Sequence, residues 1–277
     1  MTDTRTSAVS VSGLTVGVGA HGPTLVDDLS FEIAAGTVMG IVGESGSGKS
    51  VTSLAIAGLL PPSLSVRAGE VRVDGRVTAS AGRRRRRGND RVDIGVIFQD
   101  PRAALNPLMP IGAQLRRSLR AAGMNRARAE SRSLELLEDV GIADPVRVGQ
   151  SYPHEISGGM CQRVVIAMVV GAEPSLIIAD EPTTGLDLTI QAQILALLHE
   201  TVTRLGCAVL LITHDLAVAA TMCDTMLVLY GGVPVEVGTS AKILTAAEHP
   251  YTIRLVAAVN GEVSRGALAI DDGGDLR

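Results

Sequence analysis

Residues 38–42 (Val-Met-Gly-Ile-Val) form a short run without a charge, and a run of that length predicts a buried strand. The run opens directly into a glycine-rich stretch. Beyond it, residues 51–60 place apolar side chains at helical spacing until Pro61 and Pro62 stop the helix. Upstream, residues 9–18 and 24–33 read as two strands around a Gly-rich turn. Alternating apolar and polar positions predict one strand over 69–77, and 92–98 predicts another that ends at Gln99. Residues 103–149 then change character. They are rich in Ala, Leu and Arg, with helical periodicity over 111–122 and 127–140, so they read as a helical insert. A helix over 158–171 follows. Strands at 176–179, 208–213 and 225–229 then alternate with helices at 189–205 and 216–223. This alternation predicts an α/β fold with a mainly parallel sheet covered by helices on both faces.

Composition narrows the class. The 277 residues suffice for one large α/β domain or two small ones, and 46% hydrophobic content suffices for a sizeable core. No apolar run approaches the roughly 20 residues that cross a bilayer. The first ten residues lack the charged-then-apolar order of a signal peptide. The expectation is a cytoplasmic protein whose membrane association goes through a partner. A net charge of −4 gives no electrostatic footprint for nucleic acid. Cys161, Cys207 and Cys223 are too widely spaced for a metal-ligand pattern and read as buried free thiols of a reducing compartment. Five consecutive arginines at 83–87 read as a solvated loop. The tail from Gly261 has little to bury and reads as disordered.

The chemistry begins in the glycine-rich stretch. Gly43, Glu44, Ser45, Gly46, Ser47, Gly48, Lys49 and Ser50 fit G-x-x-x-x-G-K-[ST] between a predicted strand and a predicted helix, with Val51 next in line. Such glycines let successive N–H groups curl round phosphate oxygens. Lys49 supplies a charge to the β- and γ-phosphates, and the Ser50 hydroxyl is placed for Mg²⁺. The helix that follows aims its positive end at the same anion. The strand at 176–179 runs into Asp180 and Glu181. Two carboxylates at the end of an apolar strand are costly unless they face positive charge. Asp180 is placed to hold Mg²⁺ through water, and Glu181 is a candidate base for the attacking water. Gln99 follows a strand and has an amide able to sense both Mg²⁺ and water. His214 follows the strand at 208–213. Either residue alone is weak evidence, and it is their order along the chain that promotes them. Ser157, Gly158 and Gly159 alone would mark a turn, but they lie between the glycine loop and the acidic pair.

Together these motifs resemble the ATP-binding-cassette ATPases, the nucleotide-binding subunits of ABC transporters, over about residues 9–259. The resemblance implies a P-loop NTPase (RecA-like) core with a mainly parallel sheet. It adds an antiparallel β subdomain and an inserted helical subdomain at about 103–170. Residues 1–240 would form the ATPase domain and 241–277 a short C-terminal extension. It identifies Gln99 as the Q-loop glutamine, 156–160 as the signature motif and Asp187 as the D-loop aspartate. His214 becomes the switch histidine, which holds the γ-phosphate and orients Glu181. Two subunits would close head to tail around two ATP molecules, with Ser157 and Gly159 of one touching the γ-phosphate held by the other. The implied cofactors are ATP and Mg²⁺. The implied partners are a second ATPase subunit, commonly a paralogue, two transmembrane permease subunits and an extracytoplasmic binding protein. The implied place is the cytoplasmic face of the membrane.

Phe98-Gln-Asp-Pro101, Leu105-Asn-Pro107, Tyr152-Pro-His154, Met160 and His249-Pro-Tyr-Thr252 resemble the peptide and nickel importer branch. Uptake of di- or oligopeptides is the leading expectation, with nickel or a metallophore-bound metal as the alternative. Two features depart from the family pattern. The region that usually carries an adenine-stacking aromatic is Leu14-Thr-Val16-Gly-Val18, so Val16 or Val18 is expected to give an apolar contact instead. No cysteine follows Cys223, so the iron–sulfur centre of many peptide-importer ATPases is not expected, which slightly favours a nickel or metallophore cargo or a shortened peptide system. A soluble ABC protein acting on nucleic acid would need a second cassette or a long coiled coil. A plain P-loop kinase would leave the signature motif unexplained.

Overall fold

A computed structural model describes residues 7–82 and 93–259, so the arginine run and the acidic tail lie outside the described residues. In chain order the first elements are β1 (Ser7–Val18), β2 (Thr24–Ala34), β3 (Val38–Val42), α1 (Lys49–Ile56), β4 (Leu64–Val73) and β5 (Arg76–Ser80). Then come β6 (Ile94–Ile97), α2 (Ile111–Ala121), α3 (Arg126–Asp139), α4 (Pro145–Gln150), a 3₁₀ turn at Pro153–Glu155 and α5 (Gly158–Val170). The remainder is β7 (Leu176–Asp180), α6 (Leu188–Leu205), β8 (Ala208–Thr213), α7 (Leu216–Met222), β9 (Thr225–Tyr230), β10 (Val233–Thr239), α8 (Ser240–Thr245) and α9 (Pro250–Val259). The chain divides into two compact units, one made of Met1–Asp90 with Leu210–Arg277 and the other of Arg91–Val209.

The first unit holds an antiparallel sheet in the order β2-β1-β4-β5. Val9, Val11, Leu14 and Val16 of β1 are all buried, with Val11 opposite Phe31 and Val16 opposite Val26. The single strand expected over 69–77 is two. β4 and β5 form a hairpin that turns at Asp74 (φ 48°) and Gly75 (φ 69°), the two positive-φ positions of a type I′ turn, which Asp-Gly satisfies. α1 stops at Ile56, four residues before the expected end, with Gly58 at φ 68°. The same unit contains the strand run β10-β9-β3-β8, with β8 starting in the other unit. All five residues of β3 are buried, and β3 pairs in parallel with β9 in the register Ile41 to Leu227. β10, α8 and α9 follow β9 without an antecedent in the periodicity of the sequence.

In the second unit β6 and β7 pair in parallel, with Ile94 opposite Leu176 and Ile97 opposite Ala179. The helical insert is present. α2 buries Ile111, Leu115 and Leu119, a stripe at four-residue spacing, and packs on α3, α4 and α5. α5 is apolar on most sides because it packs on α2, α3, α6 and β6. Among the described residues no helix is long and apolar enough to cross a membrane.

All three cysteines are free and buried. Burial pushes every thiol up, Cys223 to about 12. The thiolate is the reactive form, so native thiols are expected to react with a thiol reagent at neutral pH about a hundredfold slower than in denaturant. Fast stoichiometric labelling of the native chain would contradict this.

Candidate functional site

In the first unit β3 delivers the chain into the loop 43–48 and α1 starts at its far side. Gly48 is the N-cap of α1 at φ 100°, and a Cβ there would lie 2.8 Å from the Leu25 carbonyl oxygen, so only glycine closes this turn without strain. The helix start has no side-chain cap, which leaves the positive end of α1 directed at the loop. Lys49 is buried, and its ammonium donates to the carbonyls of Gly43 at 2.8 Å and Glu44 at 2.7 Å. The Ser47 hydroxyl is buried with no protein partner, a polar group whose capacity suits an anionic ligand. Ser45, Gly46 and Ser50 are exposed. The Glu44 N–H donates to the Tyr251 hydroxyl at 3.0 Å, a contact that local sequence reading does not reveal.

Val16 and Val18 separate here. Val16 is fully buried in β1 and Val18 is exposed, so of the two only Val18 offers a surface to a base. His214 is exposed immediately after β8. Its neighbour Asp215 caps α7 by accepting from Ala217 at 2.9 Å and Val218 at 3.3 Å, which anchors the chain just past the histidine.

In the second unit the register of β6 on β7 has a direct consequence. Ile97 lies opposite Ala179, so the residues two places further on are Gln99 and Glu181. The Gln99 amide donates to a Glu181 carboxylate oxygen at 3.0 Å, and the Thr184 hydroxyl donates to the same oxygen at 2.9 Å. Thr184 was not identified from the sequence, where nothing distinguishes it from Thr183. Glu181 has φ 47°, a left-handed backbone costing about 1–3 kcal/mol in a non-glycine residue, and such strain clusters at functional sites. Asp180 is the last residue of β7.

The signature segment lies on α5. Ser157 is exposed and caps this helix, its hydroxyl accepting from Met160 N–H at 3.3 Å. A Cβ at Gly158 would meet nothing within 4 Å, whereas one at Gly159 would lie 2.9 Å from the Ile190 side chain. Ile190 belongs to α6, which Asp187 caps by accepting from Thr189 at 3.1 Å and Ile190 at 3.0 Å. Arg163 of α5 also reaches Gln193 of α6 at 2.7 Å. The segments carrying Ser157 and Asp187 are therefore held together. Arg102, three residues after Gln99, donates to the Ile156 carbonyl at 3.2 Å.

A strand–glycine loop–helix with a buried lysine, and a strand ending in a carboxylate pair beside a glutamine, define a P-loop nucleotide-binding protein. Residues 26–184 match the ABC transporter family model. The dipeptide transport ATP-binding protein DppD of Escherichia coli is 44% identical over 235 residues, covering 84% of this chain and 72% of that protein. DppD of Bacillus subtilis is 45% identical over 255 residues, covering 91% and 76%. The oligopeptide transport ATP-binding protein OppD of Salmonella typhimurium is 44% identical over 245 residues, covering 88% and 73%. Among solved structures, the dimeric ATP-binding cassette MJ0796 in a post-hydrolysis state with ADP and phosphate superposes with a TM-score of 0.70 at 26% identity, covering 84% of this chain and 98% of that one. An ATP-binding subunit of an ABC transporter superposes with a TM-score of 0.72 at 26% identity, covering 92% and 100%. The chain belongs to the ABC transporter family, as an ATP-binding subunit that hydrolyses ATP.

Proposed function

We propose that this chain energises the import of di- or oligopeptides, hydrolysing ATP at a site completed by a second ATPase subunit. The observation that carries the catalytic part is the carboxylate of Glu181, held on a strained backbone by Gln99 and Thr184. The loop N–H groups and Lys49 take the phosphates. Glu181 takes the proton from the attacking water, and His214 is assigned to the γ-phosphate as the family's switch histidine. Ser50, Asp180 and Gln99 offer oxygen donors, the hard ligands Mg²⁺ requires. The Gln99 amide nitrogen is engaged by Glu181, which leaves its carbonyl oxygen as the end that suits a cation. Mg²⁺ bound there would neutralise charge on the β- and γ-phosphates.

For assembly, Ser157, Gly158 and Gly159 present an open helix start to the γ-phosphate held by the partner subunit, and Asp187 relays between the two sites. The open space at Gly158 and the 83% exposure of Leu188 beside Asp187 support a covering surface from another polypeptide. Leu108, 84% exposed in the segment after Gln99, supports docking of a permease there. The complete assembly would add a paralogous ATPase, two permeases and an extracytoplasmic binding protein, placing this chain on the cytoplasmic face without touching nucleic acid or lipid directly. Residues 1–240 would act as the ATPase domain, with 241–277 as an extension.

The names of the relatives favour peptides over nickel. A ligand screen on the partner binding protein tests the cargo. Short peptides are expected to bind, and selective binding of nickel or a metal chelate would overturn the peptide assignment.

Val18 offers an apolar contact where family members stack an aromatic ring. Losing a stack costs about 1–3 kcal/mol. The isolated subunit is therefore expected to bind ATP with a dissociation constant above about 1 μM by calorimetry. A sub-micromolar value would contradict it.

A further inference from the structure

His249 immediately precedes α9, which Pro250, Tyr251 and Thr252 open, and none of the steps above uses them. Tyr251 is fully buried in the first unit. Its ring lies against that of Tyr230 at a centroid distance of 4.4 Å, and Tyr230 ends β9, the strand paired with β3. Its hydroxyl oxygen accepts the Glu44 N–H at 3.0 Å, across 207 residues of sequence. Burial pushes the phenol up to about 12, so the oxygen meets this N–H as a neutral acceptor at any physiological pH.

The approach to Tyr251 is itself latched. The Glu236 carboxylate of β10 accepts from the N–H groups of Glu248 at 3.0 Å and His249 at 3.1 Å. The His249 ring nitrogen Nδ1 in turn accepts the Tyr251 N–H at 3.2 Å. These contacts set where α9 starts and where the phenol ends.

We propose that Tyr251 is a positioning residue for the phosphate loop, its hydroxyl fixing the peptide at Glu44 in the conformation that receives a triphosphate. The inference rests on the reading that residues 43–50 bind ATP. A loop with three glycines in six residues, 43–48, has wide backbone freedom. Holding one of its amides through a rigid, buried ring lowers the ordering that a ligand must otherwise impose. The Glu236–His249 latch makes the placement of that ring a property of the C-terminal segment.

The test uses the full chain with ATP and Mg²⁺, comparing wild type, Tyr251→Phe and Lys49→Ala. Tyr251→Phe keeps the ring and removes the oxygen. It is expected to raise the ATP dissociation constant about tenfold while the midpoint of thermal unfolding moves by only a few degrees. Amide exchange at Glu44 is expected to speed up about tenfold, with β3 amides unchanged. Wild-type affinity together with an unchanged Glu44 amide would overturn the proposal. If the variant is less stable, exchange decides the matter. Acceleration confined to the loop supports positioning, and uniform acceleration through β3 and β9 makes Tyr251 a core residue only. Lys49→Ala separates the two levels. Loss of binding there beside an unaltered Tyr251→Phe sinks only the tyrosine, whereas ATP binding undiminished by Lys49→Ala sinks the assignment of the loop.

Discussion

Glu181→Gln is expected to lower ATP turnover by about 10²–10⁴, the range that a general base contributes, while ATP binding survives. The amide is nearly isosteric with the carboxylate. Its oxygen still accepts from Gln99 and Thr184, whose donors lie at 3.0 and 2.9 Å, so the side chain stays in place and only its basicity goes. The left-handed backbone at Glu181, φ 47°, is equally strained with either residue, so stability should change little. If the γ-phosphate holds two subunits closed, as proposed above, the variant should accumulate in the closed dimer with ATP. The check is phosphate release by the assembled transporter, together with size-exclusion chromatography of the variant in ATP. Turnover near the wild-type rate would remove Glu181 from the role of base.

Ser157→Arg is expected to leave ATP binding by this chain within about threefold and to cut hydrolysis at the partner's site by more than about tenfold. Ser157 is exposed at the start of α5, so a long cation is accommodated in the free subunit. In the composite site proposed above, it would block the surface that meets the partner's nucleotide. Loss of the hydroxyl also removes a cap, worth about 0.5–2 kcal/mol, so Ser157→Ala serves as the control for helix stability. Photolabelling each ATPase subunit with an azido-nucleotide under turnover conditions distinguishes the sites. Unimpaired trapping on the partner, or loss of binding on this chain, would contradict a composite site.

Some of this was legible in the chain and some was not. The run at 38–42, the loop at 43–50 and the strand before Asp180 each carry their signal within about ten residues, and each element lies where the pattern places it. The alternation of apolar and polar positions runs on through Asp74-Gly75 and so predicts one strand where the structure has the β4–β5 hairpin. The early stop of α1 follows from Gly58, which outweighed the prolines further on. Val16 and Val18 are equivalent in sequence, and only burial in β1 removes Val16 from the surface.

By itself the sequence determined the family, the order of the motifs and the residue types available for chemistry, because phosphate binding and strand-end carboxylates are written in short contiguous segments. Only the tertiary structure decided which of these residues meet. Gln99 reaches Glu181 because β6 and β7 pair in one register, and a shift of one residue would turn the two side chains apart. Tyr251 reaches Glu44 because β9 pairs with β3 and brings Tyr230, against which Tyr251 packs, beside the start of the loop. Contacts across 82 and 207 residues leave no local periodicity to read, since they arise from the packing of elements and not from the turn of any one of them.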